Sequence, residues 1–67
     1  MDINIRKSII KNFEGASIDD IEESINDSIS ESDEITLPGL GVFFEILWKN
    51  SSDADKQFIL EAVKKGL

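Results

Sequence analysis

The stretch that decides the predicted fold is LPGLGVFFEILW, from Leu37 to Trp48, the most apolar run in the chain. β-forming residues lie on both sides of a Pro-Gly pair, a pattern typical of a β-hairpin. Proline presets the first position of a turn, and glycine can take the positive φ that a tight turn requires. We therefore predict a hairpin over residues 35–48, with its turn at Pro38, Gly39, Leu40 and Gly41.

The second strand of this hairpin carries large apolar side chains on both faces. Because side chains alternate along a strand, Phe44 and Ile46 face one way while Phe43 faces the other. A two-stranded hairpin needs a covering layer, and three short helices cover only one of its faces. Soluble proteins rarely leave such a patch exposed, so we predict a homodimer. The predicted interface residues are Phe43, Phe44, Ile46, Leu47, Trp48, Phe58 and Ile59.

A short amphipathic helix is predicted at the start of the chain. Large apolar residues recur every four positions from Ile5 to Phe13, which predicts a helix over residues 4–13. Either Asp2 or Asn4 can cap this helix, since short polar side chains accept hydrogen bonds from the first N–H groups.

Two further helices follow the same logic. Isoleucines spaced by three and four predict a helix over residues 18–31, and Ser17 stands where its cap should be. A broad apolar face predicts the last helix over residues 52–65, with Ser52 as its cap. The order is α-α-β-β-α, so we predict a small α+β fold in a single domain, residues 1–67.

Composition excludes most catalytic and metal-binding chemistry. The 67 residues include no His, no Cys and no Tyr. Their absence removes Ser-His and Cys-His nucleophile pairs, zinc fingers, histidine ligation of haem and disulfides. The acids of the second helix also lack the alternating spacing and the glycine of an EF-hand loop. We therefore expect a non-enzymatic protein with no catalytic residues, no cofactor and no metal site.

Charge is unevenly distributed along the chain. Seven basic and fourteen acidic side chains give a net charge of -7, and no Lys or Arg occurs between Asn12 and Trp48. A polyanion repels such a protein, so we expect weak or absent DNA binding. The acidic second helix is most simply interpreted as a solvated face, and the alternative is a surface for a basic protein partner.

No stretch of the chain predicts a membrane span or a secretory signal. The apolar run is interrupted by Pro38 and Glu45 and is too short to cross a bilayer. The absence of Cys fits a reducing compartment. We therefore expect a soluble, cytoplasmic protein.

The run from Leu37 to Trp48 also resembles the signature of the minor small acid-soluble spore proteins of the I type. The opening residues 1–6 and the closing helix around residues 52–56 are similar to the same family, so the resemblance covers nearly the whole chain. It implies a sporulation protein of the Bacillus and Clostridium group, made in the forespore and resident in the spore core. The α/β-type spore proteins that coat DNA are a different family, so DNA coating is not implied.

A weaker resemblance concerns the fold. HU-type histone-like proteins begin with two helices and continue into a hairpin with a Pro-Gly-Phe-Gly turn, which is similar to Pro38–Gly41 here. Those proteins extend long basic arms that hold DNA, whereas only residues 49–51 separate the predicted strand from the last helix. The resemblance implies an armless, HU-like homodimer that lacks the DNA-binding residues.

Two hypotheses for function follow. The first is a minor spore-core protein that is non-enzymatic and acts through protein association. The alternative is a nucleic-acid-associated protein of the nucleoid type in the spore, which would use the basic residues near the two ends of the chain.

Overall fold

The computed structural model describes residues 4–31 and 34–67, and Asp2, one of the two candidate caps, lies outside them. None of the described residues is in a β-strand. Within these ranges no helix has the length and apolar character that crossing a membrane requires. The elements are α1 (Ile5–Phe13), α2 (Ile18–Glu31), a 3-10 helix (Glu34–Thr36), α3 (Leu37–Lys49) and α4 (Asp53–Gly66).

The predicted hairpin over residues 35–48 is wrong, and with it the α+β fold class. The first two of these residues belong to the 3-10 helix and the rest to α3. The predicted turn, Pro38–Gly41, lies within the first turns of α3 instead. The part of the chain that the structure describes therefore holds no strand for an HU-like hairpin, and the HU-like architecture is wrong as well.

The physical reason is that this run is apolar at nearly every position. A continuous apolar run fits a buried strand or a buried helix, and periodicity alone does not separate the two. Pro38 favours the helix because it lies in the first turn, where its missing N–H removes no intrahelical hydrogen bond. The helical run of 13 residues is also much longer than the usual strand, which spans about five or six residues.

Local hydrogen bonds fix where α1 and α2 begin. The Asn4 side chain accepts a hydrogen bond from the Lys7 N–H at 2.9 Å. The Ser17 hydroxyl accepts one from the Asp20 N–H at 3.1 Å. Gly15, just after α1, has a φ of +74°, a left-handed conformation that glycine adopts without steric cost. The break between the two helices therefore falls at a residue type suited to it.

α3 is the central helix, with α1 and α2 packed against it. The rings of Phe13 and Phe43 meet edge to face, with centroids 5.1 Å apart. Gly39 lies beneath the Ile9 side chain, where a Cβ would stand 3.5 Å from the Ile9 Cδ1 atom. Val42, which is 9% exposed, is the one buried hydrophobic residue among those described. The core that this chain forms alone is therefore small.

α4 projects from the end of α3 and does not pack extensively on α1 or α2. The Asn50 and Ser51 side chains donate to carbonyl groups in the last turn of α3, at 2.8 and 2.6 Å. The Ser52 hydroxyl then caps α4. The Lys56 ammonium lies 5.2 Å from the centroid of the Trp48 ring, a cation–π contact between the two helices. The direction of α4 is thus set at its first turn and not by packing along its length.

The chain exposes more surface than a folded monomer of its mass normally does. Its accessible surface is 5766 Å², against about 4,200 Å² expected for a monomer of 7.5 kDa. Its radius of gyration is 13.0 Å, against about 11 Å for a compact domain of 67 residues. Much of the apolar surface therefore lacks a covering layer.

Candidate functional site

An open apolar groove lies between α1, α2 and α3, and we call it the α1–α2–α3 groove. Its volume is about 640 Å³. Apolar walls of this kind are typical of sites that bind an amphipathic helix or another apolar partner. The residues that line it are Ile9, Ile10, Phe13, Glu14, Ile21, Ile25, Leu40, Phe43, Phe44, Ile46 and Leu47.

The groove exists because three amphipathic helices turn their apolar stripes toward one another. Ile21 and Ile25 are one helical turn apart on α2 and form one wall. The side of α2 that faces away from the groove is acidic, and all six acids of this helix are exposed. These six residues are Asp19, Asp20, Glu22, Glu23, Asp27 and Glu31.

The predicted interface residues fall into two groups. The first group lines the α1–α2–α3 groove: Phe43, Phe44, Ile46 and Leu47. Phe44 and Leu47 are each 46% exposed, so the groove is open to solvent along α3. The second group, Trp48, Phe58 and Ile59, lies outside the groove lining, near the α3–α4 connection or on α4.

The residues of the second group differ in how far they are exposed to solvent. Trp48 stacks on Phe44, with ring centroids 6.0 Å apart, and is half-buried. Ile59 is also half-buried, whereas Phe58 is 73% exposed. Phe58 therefore presents most of its aromatic ring to solvent, on a helix that packs little on the other described helices.

The predicted turn residues have a different role from the one expected. Leu40 lines the α1–α2–α3 groove, and Gly39 lets Ile9 pack over α3. Pro38 starts the helix, and Gly41 has open space where a side chain would be. The four residues thus help to shape a helix and one wall of the groove.

A bidentate ion pair holds α1 to α3 beside the groove. The Arg6 guanidinium donates to both carboxylate oxygens of Glu45, and the Nη2–Oε2 distance is 2.8 Å. The Lys49 ammonium lies 3.7 Å from the same carboxylate. The hydrogen bond from Arg6, more than its charge, lowers the pKa of Glu45 below its ordinary value of 4.5. The same hydrogen bond raises the pKa of Arg6.

The groove has the chemistry of a binding surface. Glu14 is the one ionisable residue among the described residues that line it, so these residues supply no acid–base pair. Among residues 4–31 and 34–67, no three acidic side chains converge in a way that could hold a metal ion. Shape and apolar contact are what this arrangement offers a partner.

Sequence patterns identify part of this site. The stripes that contain Ile9, Phe13, Ile21 and Ile25 are visible as helical periodicities. The sequence does not show that these stripes converge on α3, because the apolar run that forms α3 has the pattern of a hairpin. The Arg6–Glu45 pair gave no local signal either, since its partners are 39 residues apart.

Comparisons with known proteins identify the family. The family model described as "Small, acid-soluble spore protein I" matches residues 3–67. Proteins of that name from Bacillus licheniformis and Bacillus velezensis are 42% and 43% identical over 67 residues, covering all of this chain and 96% and 94% of theirs. One from Bacillus cereus is 42% identical over all of this chain and 97% of its own length. No solved structure matches the chain. The chain therefore belongs to the small, acid-soluble spore protein I family of bacterial spore proteins.

Proposed function

We propose that this spore protein is non-enzymatic and acts by association, in the first place with a second copy of itself. Its family gives the sporulation context. The α1–α2–α3 groove gives it an apolar binding surface, and the described residues of the groove lining include no pair of ionisable groups that could support acid–base catalysis. The homodimer is the species in which that surface is covered.

One observation carries this proposal: the surface that the chain leaves exposed. The accessible surface of 5766 Å² exceeds the monomer expectation by about 1,500 Å². A stable interface of standard size buries about 800 Å² on each partner. Each chain therefore has enough excess surface for a full dimer interface. Large apolar side chains supply much of it, among them Phe44, Leu47 and Phe58.

The acidic face of α2 supports a further association. Six exposed carboxylates on one helix, with no base among them, make a strongly negative surface. A basic protein partner is the kind of molecule that such a surface attracts, and the attraction weakens as salt screens it. We propose that this association takes place in the cytoplasm of the forespore and in the spore core, and the sporulation context of the family supports this proposal.

The dimer is tested by measuring mass and stability as functions of protein concentration. Sedimentation equilibrium from 1 to 100 micromolar should give a mass of two chains at the upper end. Folding coupled to association also makes the melting temperature rise with concentration, by several degrees over a 100-fold range. A mass of 7.5 kDa throughout, with a melt that does not depend on concentration, would show that the protein acts as a monomer.

A further inference from the structure

We infer that the two copies are joined by reciprocal insertion of α4: Phe58 of each chain enters the α1–α2–α3 groove of the other. This inference rests on the proposed dimer and names its contact. A two-fold dimer built in this way contains the same knob-and-groove contact twice.

The chain carries both halves of the contact, and within residues 4–31 and 34–67 neither half is covered by the other. The groove of about 640 Å³ is open and almost wholly apolar. Phe58 is 73% exposed on a helix that packs little on the rest of the described residues. A buried aromatic ring in an apolar pocket is the kind of anchor that dominates interface energetics.

The α3–α4 connection keeps α4 away from the groove of its own chain. Asn50 and Ser51 bond the end of α3, and Ser52 caps the start of α4 immediately afterwards. The Lys56–Trp48 contact then holds the first turn of α4 against the end of α3. Folding α4 back over the groove would break this series of bonds, whereas insertion into a second chain keeps all of them.

The face of α4 around Phe58 suits an approach to a groove wall. Ala54 and Ala62 lie four residues before and after Phe58, so small side chains flank the ring along the helix. Asp55 and Glu61, three residues away from Phe58, lie at the edges of the same face. Lys65 lies on the same face, seven residues beyond Phe58. Glu14 is the one charged residue among the described residues that line the groove, and Lys65 is the residue of opposite charge on this face of α4.

The excess surface also agrees with a second copy as the occupant. The excess of about 1,500 Å² per chain corresponds to about 3,000 Å² in a dimer. This total lies in the range of obligate homodimers, about 2,000–5,000 Å². A small apolar ligand in the groove would leave α4 exposed and would cover only part of this area.

Two single variants and their mixture test the contact. Phe58→Ala removes the knob, and Leu47→Gln makes one groove wall polar. Both side chains are at least 46% exposed in the chain, so each variant should keep the helical circular dichroism of the parent. Each should raise the dissociation constant of the homodimer by at least about 100-fold, since both contacts in the dimer are damaged. Ile10→Gln, at a groove residue that is 43% exposed, replaces Leu47→Gln if that variant does not fold.

The mixture is the decisive measurement. In a mixed dimer, the intact Phe58 of the Leu47→Gln chain meets the intact groove of the Phe58→Ala chain, so one of the two contacts is whole. The mixed dimer should therefore be at least about ten-fold tighter than either variant homodimer. Leu60→Ala is the matched control, because Leu60 lies on the opposite side of α4 and is 50% exposed. This control should dimerise like the parent.

Each remaining result overturns a different claim. If the parent dimerises and the mixture is no tighter than the variants alone, the dimer exists but is not formed by Phe58 in the groove. If Leu60→Ala weakens the dimer as much as Phe58→Ala does, the wrong face of α4 was assigned. A parent that is monomeric at 100 micromolar overturns the proposed function itself.

Discussion

Arg6 on α1 and Glu45 on α3 are 39 residues apart in sequence and form a bidentate ion pair. Lys49, one turn after Glu45, adds a second positive charge at 3.7 Å. The pair fixes the angle between α1 and α3 beside the α1–α2–α3 groove. It joins the second residue of α1 to the middle of the central helix, where the aromatic contact of Phe13 with Phe43 fixes the other end of α1.

The first prediction concerns acid. Arg6 lowers the pKa of Glu45 below 4.5, so the folded state favours the ionised carboxylate. The resulting stability is fully present above the unfolded pKa and is lost as the pH falls through the lower, folded value. We expect Glu45→Gln to be less stable than the parent at pH 7, and the difference should shrink as the pH is lowered below 4.5. Urea titrations at fixed protein concentration between pH 7 and pH 3 measure it.

Glu23→Gln is the control for this experiment. Glu23 is exposed on the side of α2 opposite Ile21, and its replacement by Gln removes one negative charge, as Glu45→Gln does. Its effect should be small at every pH. A Glu45→Gln protein that is as stable as the parent at pH 7 would show that the ion pair contributes nothing to the fold.

The second prediction distinguishes a helix from a hairpin at the start of α3. Gly41 lies inside the helix, and beyond the neighbouring backbone of α3 no described atom comes within 4 Å of where a Cβ would be. Gly41→Ala should therefore stabilise the protein by roughly 0.5–1 kcal/mol, since glycine in a helix interior is less favourable than alanine. Gly15→Ala should destabilise it by about 1–2 kcal/mol, because its φ of +74° is strained for any residue with a Cβ. Urea denaturation of the two variants measures whether each one gains or loses free energy of unfolding.

A turn glycine at position 41 would give the opposite result. In a tight turn with positive φ, alanine is strained, so Gly41→Ala would lose stability in the same way as Gly15→Ala. Two losses of similar size would contradict the helix over Leu37–Lys49.

The helices outside the apolar run could be predicted because their patterns have one interpretation. Polar residues separate the isoleucines of α2, so only a period of 3.6 puts those isoleucines on one face. The serines that cap α2 and α4, Ser17 and Ser52, also have a local signature. The run from Leu37 to Trp48 has no such polar spacing, and both periods fit it.

The groove could be predicted only in part, for a related reason. The apolar residues Phe44 and Leu47 are predicted as interface from the two faces of a β-strand, and in α3 they line the groove instead. Which helices meet, and where a groove opens between them, depends on contacts between distant residues. The Phe13–Phe43 ring contact and the Arg6–Glu45 pair are of this kind, and no short window of sequence contains both members of either pair.

The third prediction concerns the start of α4. The Ser52 hydroxyl accepts the Asp55 N–H at 3.1 Å, and α4 has little packing to replace this bond. Ser52→Ala should cost about 1 kcal/mol of stability. The loss should appear first as faster amide hydrogen exchange in the first turn of α4, because a helix end without packing frays locally.

Ser8→Ala is the matched control for the cap. Ser8 is exposed inside α1, where alanine is a better helix former than serine, so this variant should be neutral or slightly stabilising. Equal losses for Ser8→Ala and Ser52→Ala would show that the cap has no special role.

The last prediction is that the protein binds DNA weakly or not at all, because contacts within the chain already occupy some of its basic side chains. Three of the seven basic residues are already engaged within the chain: Arg6 and Lys49 with Glu45, and Lys56 with Trp48. The net charge of -7 repels a polyanion at long range.

Mobility-shift and anisotropy titrations with duplex and single-stranded DNA measure this expectation. At about 0.15 M salt they should show no submicromolar binding. At low salt any binding should have a shallow salt slope, because few phosphates can be neutralised by the remaining lysines at the two ends of the chain. Lys7→Gln with Lys11→Gln removes the pair one turn apart on α1 and should leave the titrations unchanged. Submicromolar binding that this double variant abolishes would favour the nucleic-acid-associated alternative over action by protein association alone.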